Sequence, residues 1–171
     1  MSIKSLQNLG DPIHDHRWKL EITAGPTVPG VSIPNQFPIQ IRTGVIPGAE
    51  VETEVLKYMG AEIVKTNAVK FNHIIPSTVI DTQTLGLFNT IDTWWRAIYD
   101  PETGLMTVSI ELAKATARAM LYSDDGETVV KNCRIVGLFP RKRPDHPVSH
   151  DEDAKRMKFS VEWSYDLWTN E

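Results

Sequence analysis

The sequence feature that most constrains the fold is an alternation of apolar and polar residues over residues 157–167. The apolar positions are Met157, Phe159, Val161, Trp163, Tyr165 and Leu167, and Lys158, Ser160, Glu162, Ser164 and Asp166 lie between them. Successive side chains of a β-strand point to opposite faces, so this period predicts one long strand with a buried face and a wetted face. A helix would scatter the aromatic residues around its circumference. The sequence therefore predicts a sheet that is buried on one side.

Residues 113–140 predict two further strands joined by a tight turn. The turn is placed at Ser123-Asp124-Asp125-Gly126, because glycine adopts positive φ without a Cβ clash. Small side chains that share one face of the first strand let another layer approach closely; they are Ala113, Ala115, Ala117 and Ala119. We expect residues 157–167 to be the natural partner of this hairpin in an antiparallel sheet.

Composition limits the class of protein. The chain has 171 residues, 41% of them hydrophobic and 23% charged, which is ordinary for one globular domain with a real core. Its net charge of −4 argues against a protein that grips nucleic-acid phosphates, because such proteins carry a basic stripe. The single cysteine, Cys133, fits a reducing cytoplasm. We see neither a signal peptide nor an apolar run long enough to cross a bilayer, so we expect no membrane partner.

Other segments predict more strands between loops. Residues 1–16 are polar and are expected to form a surface arm. Residues 17–23 alternate as a strand, and so do Phe37, Ile39 and Ile41 after a loop rich in proline and glycine. Strand character resumes over residues 69–80. Four apolar residues predict a strand that leads into the central hairpin: Met106, Val108, Ile110 and Leu112.

Residues 84–100 predict one amphipathic helix. Its apolar stripe consists of Leu87, Ile91, Trp94 and Ile98. The helix should end at Asp100, because a residue before proline disfavours the helical region. Trp94 and Trp95 could stack on a base or a sugar, but their helical spacing favours core packing for at least one of them. We expect Asp92 and Arg96 to be free on the outer face.

Residues 50–68 predict a hairpin that cannot bury itself. Glutamates at 50, 52 and 54 alternate with Val51, Thr53 and Val55, and Tyr58-Met59-Gly60 has the character of a turn. A lone two-stranded hairpin is marginally stable in water. The hairpin must therefore lie on another surface, which is either its own domain or a neighbouring subunit.

The sequence offers no catalytic constellation, so we expect no enzyme and no cofactor. It lacks a glycine-rich phosphate loop, an HExxH motif and a GxSxG elbow. His146 and His150 are four residues apart near several aspartates, but a metal site there would need a rigid helix. Two prolines favour a solvated loop instead, within a charged connector over residues 141–156. Cys133 lies in a strand, where a buried small residue is favoured over a nucleophile.

The order and spacing of these segments resemble the tail tube proteins of contractile-tailed bacteriophages. The segments that carry the resemblance are DPIHDHRWKLEI, YMGAEIVKTNAVKFNHI, TWWRAIYD, ARAMLYSDDGETVVKNCRIVGLFP and FSVEWSYDLW. They extend over residues 12–168. Needle proteins of type VI secretion are related to that family. Many members place Pro-Gly after the hairpin, where this chain has Asn67-Ala68.

The resemblance implies a single mainly β domain: an antiparallel β-barrel or sandwich with one flanking α-helix and a long protruding hairpin. It implies homohexameric rings that stack into a hollow conduit inside a contractile sheath. The helix over residues 84–100 would then pack its tryptophan face on the outside of the barrel and leave Asp92 and Arg96 free toward the sheath. DNA would pass through the lumen without specific binding, and baseplate and tail terminator proteins would be further partners. The expected location is the virion tail, after assembly in the host bacterial cytoplasm. The acidic net charge suits such a conduit, because tight basic contacts would stall DNA.

Two sets of site residues follow. The expected subunit and ring-stacking contacts are Val51, Val55, Tyr58, Met59, Ile63 and Lys65. The expected lumen-facing residues are Lys19, Glu21, Thr116, Arg118, Asn132, Arg134, Ser160, Glu162 and Ser164. Alternatives remain open: a baseplate tube initiator, a needle protein of an injection or secretion system, and a β-barrel that binds a small ligand within one chain.

Overall fold

A computed structural model describes residues 18–39, 41–81, 85–123, 125–145 and 158–171. The fold is mainly β and sandwich-like rather than a closed barrel, with antiparallel sheets and two helices among the described residues. The strands are β1 (Trp18–Ala24), β2 (Phe37–Ile39), β3 (Ile41–Gly44), β4 (Ala49–Tyr58), β5 (Ala61–Phe71), β6 (Ile74–Ile80), β7 (Ala115–Tyr122), β8 (Val129–Pro140), β9 (Lys158–Ser164) and β10 (Leu167–Asn170). The helices are α1 (Gly86–Ile98) and α2 (Ile110–Ala113). The surface arm predicted at residues 1–16 lies outside the described residues.

The main sheet has the strand order β2-β1-β7-β8-β9-β6-β3, with β10 also paired to β8. Its two end strands are consecutive in the chain, so the sheet must fold over on itself. The first layer is β2-β1-β7-β8-β10, and the second layer is β9-β6-β3 with the end of β8. The single strand predicted through Phe37, Ile39 and Ile41 is therefore wrong. Phe37 and Ile39 pair with β1, whereas Ile41 pairs with β6 in the other layer.

The predicted central hairpin is confirmed as β7 and β8. Residues 115, 117 and 119 are buried alanines, as their shared face predicted, and Gly126 in the connection has φ of +75°. The carboxylate of Asp125 accepts hydrogen bonds from the backbone N–H groups of Glu127 and Thr128, both at 2.9 Å. Asp124 lies outside the described residues. At the far end of β8, Gly137 also has positive φ, and a Cβ there would collide with Asp166.

The alternation near the C-terminus is confirmed for Phe159, Val161, Trp163 and Tyr165, which are all buried. The single strand through residue 167 is wrong, because the chain leaves β9 after Ser164 and starts β10 at Leu167. At this crossing the N–H of Asp166 donates to the Val136 carbonyl at 3.0 Å. The main partner of β9 is β6; β9 meets the hairpin only at the end of β8. β10 pairs with β8 instead.

The strand predicted through Met106, Val108, Ile110 and Leu112 is wrong. This segment bonds to the end of α1, since the N–H of Thr107 donates to the Ile98 carbonyl at 3.0 Å. Only Met106 makes an isolated bridge, to Tyr99, and residues 110–113 form the short helix α2.

The predicted helix is confirmed as α1, with Ile91, Trp94 and Ile98 buried. Asp81 sits before it and accepts hydrogen bonds from the N–H groups of Leu87 and Phe88, at 3.2 and 2.8 Å. These bonds satisfy donors that have no partner inside a helix. The residue at 84 lies outside the described residues. Rings of α1 pack on β9, since the centroids of Trp94 and Trp163 are 6.0 Å apart.

The expectation that Asp92 and Arg96 would be free is wrong. The carboxylate of Asp92 binds Arg96 at 2.8 Å and Arg143 at 2.7 Å. Arg143 comes from the segment after β8, so tertiary structure supplies a partner that helical spacing could not show.

Candidate assembly surfaces

The hairpin of β4 and β5 is a separate two-stranded sheet, without ladder hydrogen bonds to the main sheet. Nearly all of its residues are exposed, and Met59 at its tip is 90% exposed. Met59 and Gly60 form the turn, both at positive φ, as a two-residue type I′ hairpin turn requires. The register shifts between Val51 and Thr53, opposite Asn67-Ala68. The hairpin is therefore present, and it carries a bulge at the position where many tail tube proteins have Pro-Gly.

One face of this hairpin, which we call the valine face, is a ladder of β-branched residues. Val51 pairs with Val69, and Val55 pairs with Val64. All four are about half exposed. Such pairs stabilise the two strands, but they leave a strip of apolar surface in water.

The opposite face is charged near the main sheet and apolar near the tip. Glu50 lies opposite Lys70 and Glu54 lies opposite Lys65. The Nζ of Lys70 is 2.7 Å from a carboxylate oxygen of Glu52. Farther out, the exposed side chains of Leu56, Ile63 and Tyr58 share this face. Both faces thus expose apolar groups that the hairpin alone cannot cover.

The predicted contact residues are all exposed, but the structure divides them between these surfaces. Val51 and Val55 lie on the valine face, and Met59 lies at the turn. Tyr58, Ile63 and Lys65 lie on the opposite face. Contact through all six residues would therefore require the hairpin to be covered on both sides.

An aromatic cluster at the base of the hairpin joins it to the C-terminal strands, and sequence reasoning missed it. His73 has φ of +55°, and its Nδ1–H donates to the Tyr165 carbonyl at 2.9 Å. The Phe71 ring packs edge-on against Trp168 with centroids 6.4 Å apart. Burial raises the pKa of Tyr165, so its phenol stays neutral. No periodic pattern links these residues, because they come from two distant parts of the chain. They meet where the connection between β5 and β6 lies beside the connection between β9 and β10.

The outward side of the first layer, which we call the first-layer face, is mostly polar, with exposed Val136 and Leu167 in one row. Glu21 lies opposite Arg118, which lies opposite Arg134, and Arg134 lies opposite Thr169. In the next row, Lys19 and Asn132 flank Met120. Residues between these rows, such as Leu20, Ala119 and Cys133, are buried in the core. Of the predicted lumen-facing residues, this face holds Lys19, Glu21, Thr116, Arg118, Asn132 and Arg134.

Charges on the first-layer face are largely paired. Lys19 is 2.5 Å from Glu21, and Arg118 is 2.8 Å from Glu171. Arg134 forms no ion pair with any residue in the described ranges. The face thus carries three cations and two anions, so the acidic net charge of the chain does not lie here.

The other predicted lumen residues, Ser160, Glu162 and Ser164, lie on β9 in the second layer. They pair with Thr78, Pro76 and Ile74 of β6, and they point away from the shared core. The two layers of a sandwich turn their outer faces in opposite directions. The structure therefore does not bring all nine predicted lumen residues to one surface.

The remaining candidates do not form a site in the described part of the chain. Cys133 is buried, and burial raises the pKa of its thiol, as expected for an unreactive residue. Trp94 is fully buried and Trp95 is half-buried. His146 and His150 lie outside the described residues. Within those residues no group of His, Cys, Asp and Glu could hold a metal ion, and no helix could span a membrane.

Solved structures are similar to this chain in overall fold. A chain in the PVC extracellular contractile injection system sheath/tube terminator, in its extended state, matches with a TM-score of 0.66 and 13% identity over 95% of this chain and 99% of that chain. This chain has the fold of contractile injection system tube proteins.

A chain in the PVC sheath-tube complex gives a TM-score of 0.63 at 13% identity, over 100% of this chain and 99% of that chain. A chain in the anti-feeding prophage baseplate gives 0.65 at 13% identity, over 95% and 97%. No protein-family model and no curated protein matches the sequence. The tube-protein fold thus agrees with the resemblance in the sequence.

Proposed function

We propose that this protein is the structural subunit of a tail tube and has no catalytic role. The observation that carries the proposal is the hairpin of β4 and β5, which exposes apolar residues on both faces and pairs with no other strand among the described residues. A hairpin of this length is marginally stable by itself, and the aromatic cluster at its base leaves the apolar residues farther out uncovered, so we infer that another surface stabilises it. Another copy of the same chain is the simplest such surface, and it agrees with the tube-protein fold.

In the proposed assembly, six copies form a ring by joining the margins of their first layers. That layer ends in β2 on one side and β10 on the other, and each pairs with a single strand among the described residues. When the β2 margin of one copy meets the β10 margin of the next, neighbouring copies are related by a rotation. The copies form a closed ring if these rotations add up to one full turn. Rings would then stack, with each hairpin docked on the adjacent ring or subunit.

The assembled tube would lie inside a contractile sheath, between a baseplate and a terminator, in a virion tail built in the host cytoplasm. DNA would pass through its bore during genome ejection without specific binding. The first-layer face suits the wall of such a bore, because most of its charges are already paired and few remain for phosphates.

Electron microscopy of the purified protein tests the assembly. We expect negatively stained samples to contain rings with sixfold symmetry, and stacked tubes as concentration increases. A protein that remains monomeric at every concentration tested would contradict the proposal.

Cysteine labelling of assembled tubes tests which layer faces the bore. In a Cys133→Ala background, the reagent is a maleimide attached to a polymer that is wider than the bore. Arg134→Cys should react with this reagent in free protomers but not in assembled tubes. Ser160→Cys should react in both states, because its layer faces the other way. A small maleimide that enters the bore is the control and should label both cysteines. Protection of Ser160→Cys with free labelling of Arg134→Cys would reverse the assignment of the layers.

A baseplate tube initiator is the second candidate, favoured by the match to a chain in a baseplate structure. An initiator would form rings that do not extend into tubes by themselves. A small-ligand barrel is less well supported, because the space between the layers is filled by buried aromatic side chains: Trp94, Phe159, Trp163 and Tyr165.

A further inference from the structure

The connection between the hairpin and the main sheet has an uncommon backbone conformation. β5 ends at Phe71 and β6 begins at Ile74, so Asn72 and His73 alone connect the two strands. His73 has φ of +55°, a value that is uncommon outside glycine and that persists where surrounding contacts fix it. The direction in which the hairpin leaves the sheet therefore depends on the contacts that hold His73.

Three hydrogen bonds hold His73 against the connection between β9 and β10. Its carbonyl accepts hydrogen bonds from the Tyr165 N–H and from the Ser164 hydroxyl, both at 3.2 Å. Its Nδ1–H donates to the Tyr165 carbonyl at 2.9 Å. Any residue at this position would supply the carbonyl, but the third bond needs a side chain with a donor at that place. The imidazole is thus the sequence-specific part of the contact.

Aromatic rings extend this contact from the hairpin to β10. The ring centroid of Phe71 is 6.1 Å from that of His73 and 6.4 Å from that of Trp168. The His73 ring is in turn 5.7 Å from the ring of Tyr165. Trp168 pairs with Ile135 of β8, so the row of rings reaches the strand at one margin of the first layer. The base of the hairpin and this margin therefore share one set of contacts.

We propose that His73 is a positioning residue, whose Nδ1–H hydrogen bond fixes the direction of the hairpin relative to β10. The hairpin has no ladder hydrogen bonds to the main sheet among the described residues, so its direction depends on side-chain contacts at its base. Its first strand has ten residues. At the usual rise of a strand it is about 30 Å long, so a rotation of about 20° at the base would move the tip by about 10 Å.

In an assembled tube, His73 would set the geometry of two contacts at once. The hairpin would dock on an adjacent ring or subunit while β10 joins the margin of a neighbour, and to that extent the inference rests on the proposed function. A segment that is already held in its bound direction loses less conformational entropy when it binds. His73 would therefore lower the concentration at which tubes form.

Distances between spin labels test the inference on free protomers, below the concentration of assembly. In a Cys133→Ala background, one label is attached at Glu62→Cys near the hairpin tip and the other at Thr169→Cys in β10, both at exposed positions. Electron–electron double resonance should give one narrow distribution of distances when His73 is present. His73→Gly keeps the carbonyl and adopts positive φ freely, but it lacks the donor and should broaden this distribution at least about twofold.

Two variants separate the hydrogen bond from a general loosening of the backbone. His73→Asn also tolerates positive φ and supplies an amide N–H near the place of Nδ1, so its distribution should be closer in width to the native one than to that of His73→Gly. Gln36→Gly is the matched control, because Gln36 is another exposed residue at positive φ in a different connection. It should change the width by less than about 1.2-fold. Thermal unfolding should show that all variants remain folded.

The same substitutions, without the labels, test the consequence for assembly. His73→Gly should raise the concentration needed for tubes at least about fivefold, because the hairpin is no longer held in its bound direction. Gln36→Gly should change that concentration by less than about twofold. If the native protein forms tubes and His73→Gly forms them at the same concentration, His73 does not position the hairpin for assembly.

Four outcomes of the distance measurement would overturn the inference. They are a broad distribution with native His73, an unchanged width in His73→Gly, equal broadening by Gln36→Gly, and a width in His73→Asn as large as that in His73→Gly. Microscopy of the native protein separates the two proposals. Tubes together with any of these outcomes would refute this inference alone. A narrow native distribution that His73→Gly broadens, without tubes at any concentration, would refute only the proposed assembly.

Discussion

Tyr58→Asp and Met59→Asp are each expected to leave a folded protomer that no longer forms tubes. Both side chains lie at the exposed tip of the hairpin, so neither substitution disturbs the core. If the tip is buried against another copy, the new carboxylate becomes a buried, unpaired charge in every contact of the tube. The concentration needed for assembly, measured by sedimentation and microscopy, should rise by more than about tenfold.

The matched control for this prediction is Asn67→Asp. It adds the same charge to the same hairpin with almost no change in shape, at the bulge and away from the tip. It should assemble nearly as the native protein does. Full-length tubes from Tyr58→Asp at the native concentration would show that the interface is misplaced.

Val55→Asp extends the test to the valine face. Tyr58 and Val55 point to opposite sides of the hairpin. If both substitutions block assembly, then the hairpin is covered on both faces. If only one of them does, the other face stays in water, and the predicted contact set is too wide.

Trp94→Ala is expected to destabilise the protomer by about 3–5 kcal/mol. Trp94 is fully buried, and its ring packs near Trp163. Its indole N–H also donates to the Ala113 carbonyl at 2.9 Å, so the substitution leaves that carbonyl without its donor. Because domains are stable by only about 5–15 kcal/mol, much of the population could unfold.

The neighbouring Trp95→Ala is the control for this substitution. Trp95 is half-buried, and truncation there should cost about 1 kcal/mol. Urea unfolding followed by circular dichroism measures both changes. Equal destabilisation by the two substitutions would contradict the assignment of Trp94 to the core and of Trp95 to the surface.

Sequence reasoning did well where a structural feature depends on neighbouring residues. The period of two identified the buried faces of β7 and β9, and a glycine marked the turn between β7 and β8. The stripe through Ile91, Trp94 and Ile98 identified α1, and alternation identified the hairpin of β4 and β5. The same reasoning could list the polar residues of the first-layer face, because outward positions follow once inward ones are known.

Sequence reasoning failed where the chain leaves one neighbouring strand and pairs with another. Phe37 and Ile41 look like one strand, yet they pair in different layers. Tyr165 and Leu167 continue one alternation, yet the chain crosses between layers at Asp166. The segment through Met106 has apolar spacing suited to a strand, yet it bonds to the end of α1. The aromatic cluster at His73 and the contact of Arg143 with Asp92 gave no local signal at all.

By itself, the sequence determined which side chains turn inward within each strand and helix, and where a tight turn is sterically possible. Those properties depend on local backbone geometry and on the difference in hydration between adjacent residues. Only the tertiary structure decided which strands are neighbours, which polar residues share a face and which acid holds two arginines. Pairing depends on contacts between residues far apart in the chain, and many alternative pairings bury the same apolar side chains equally well.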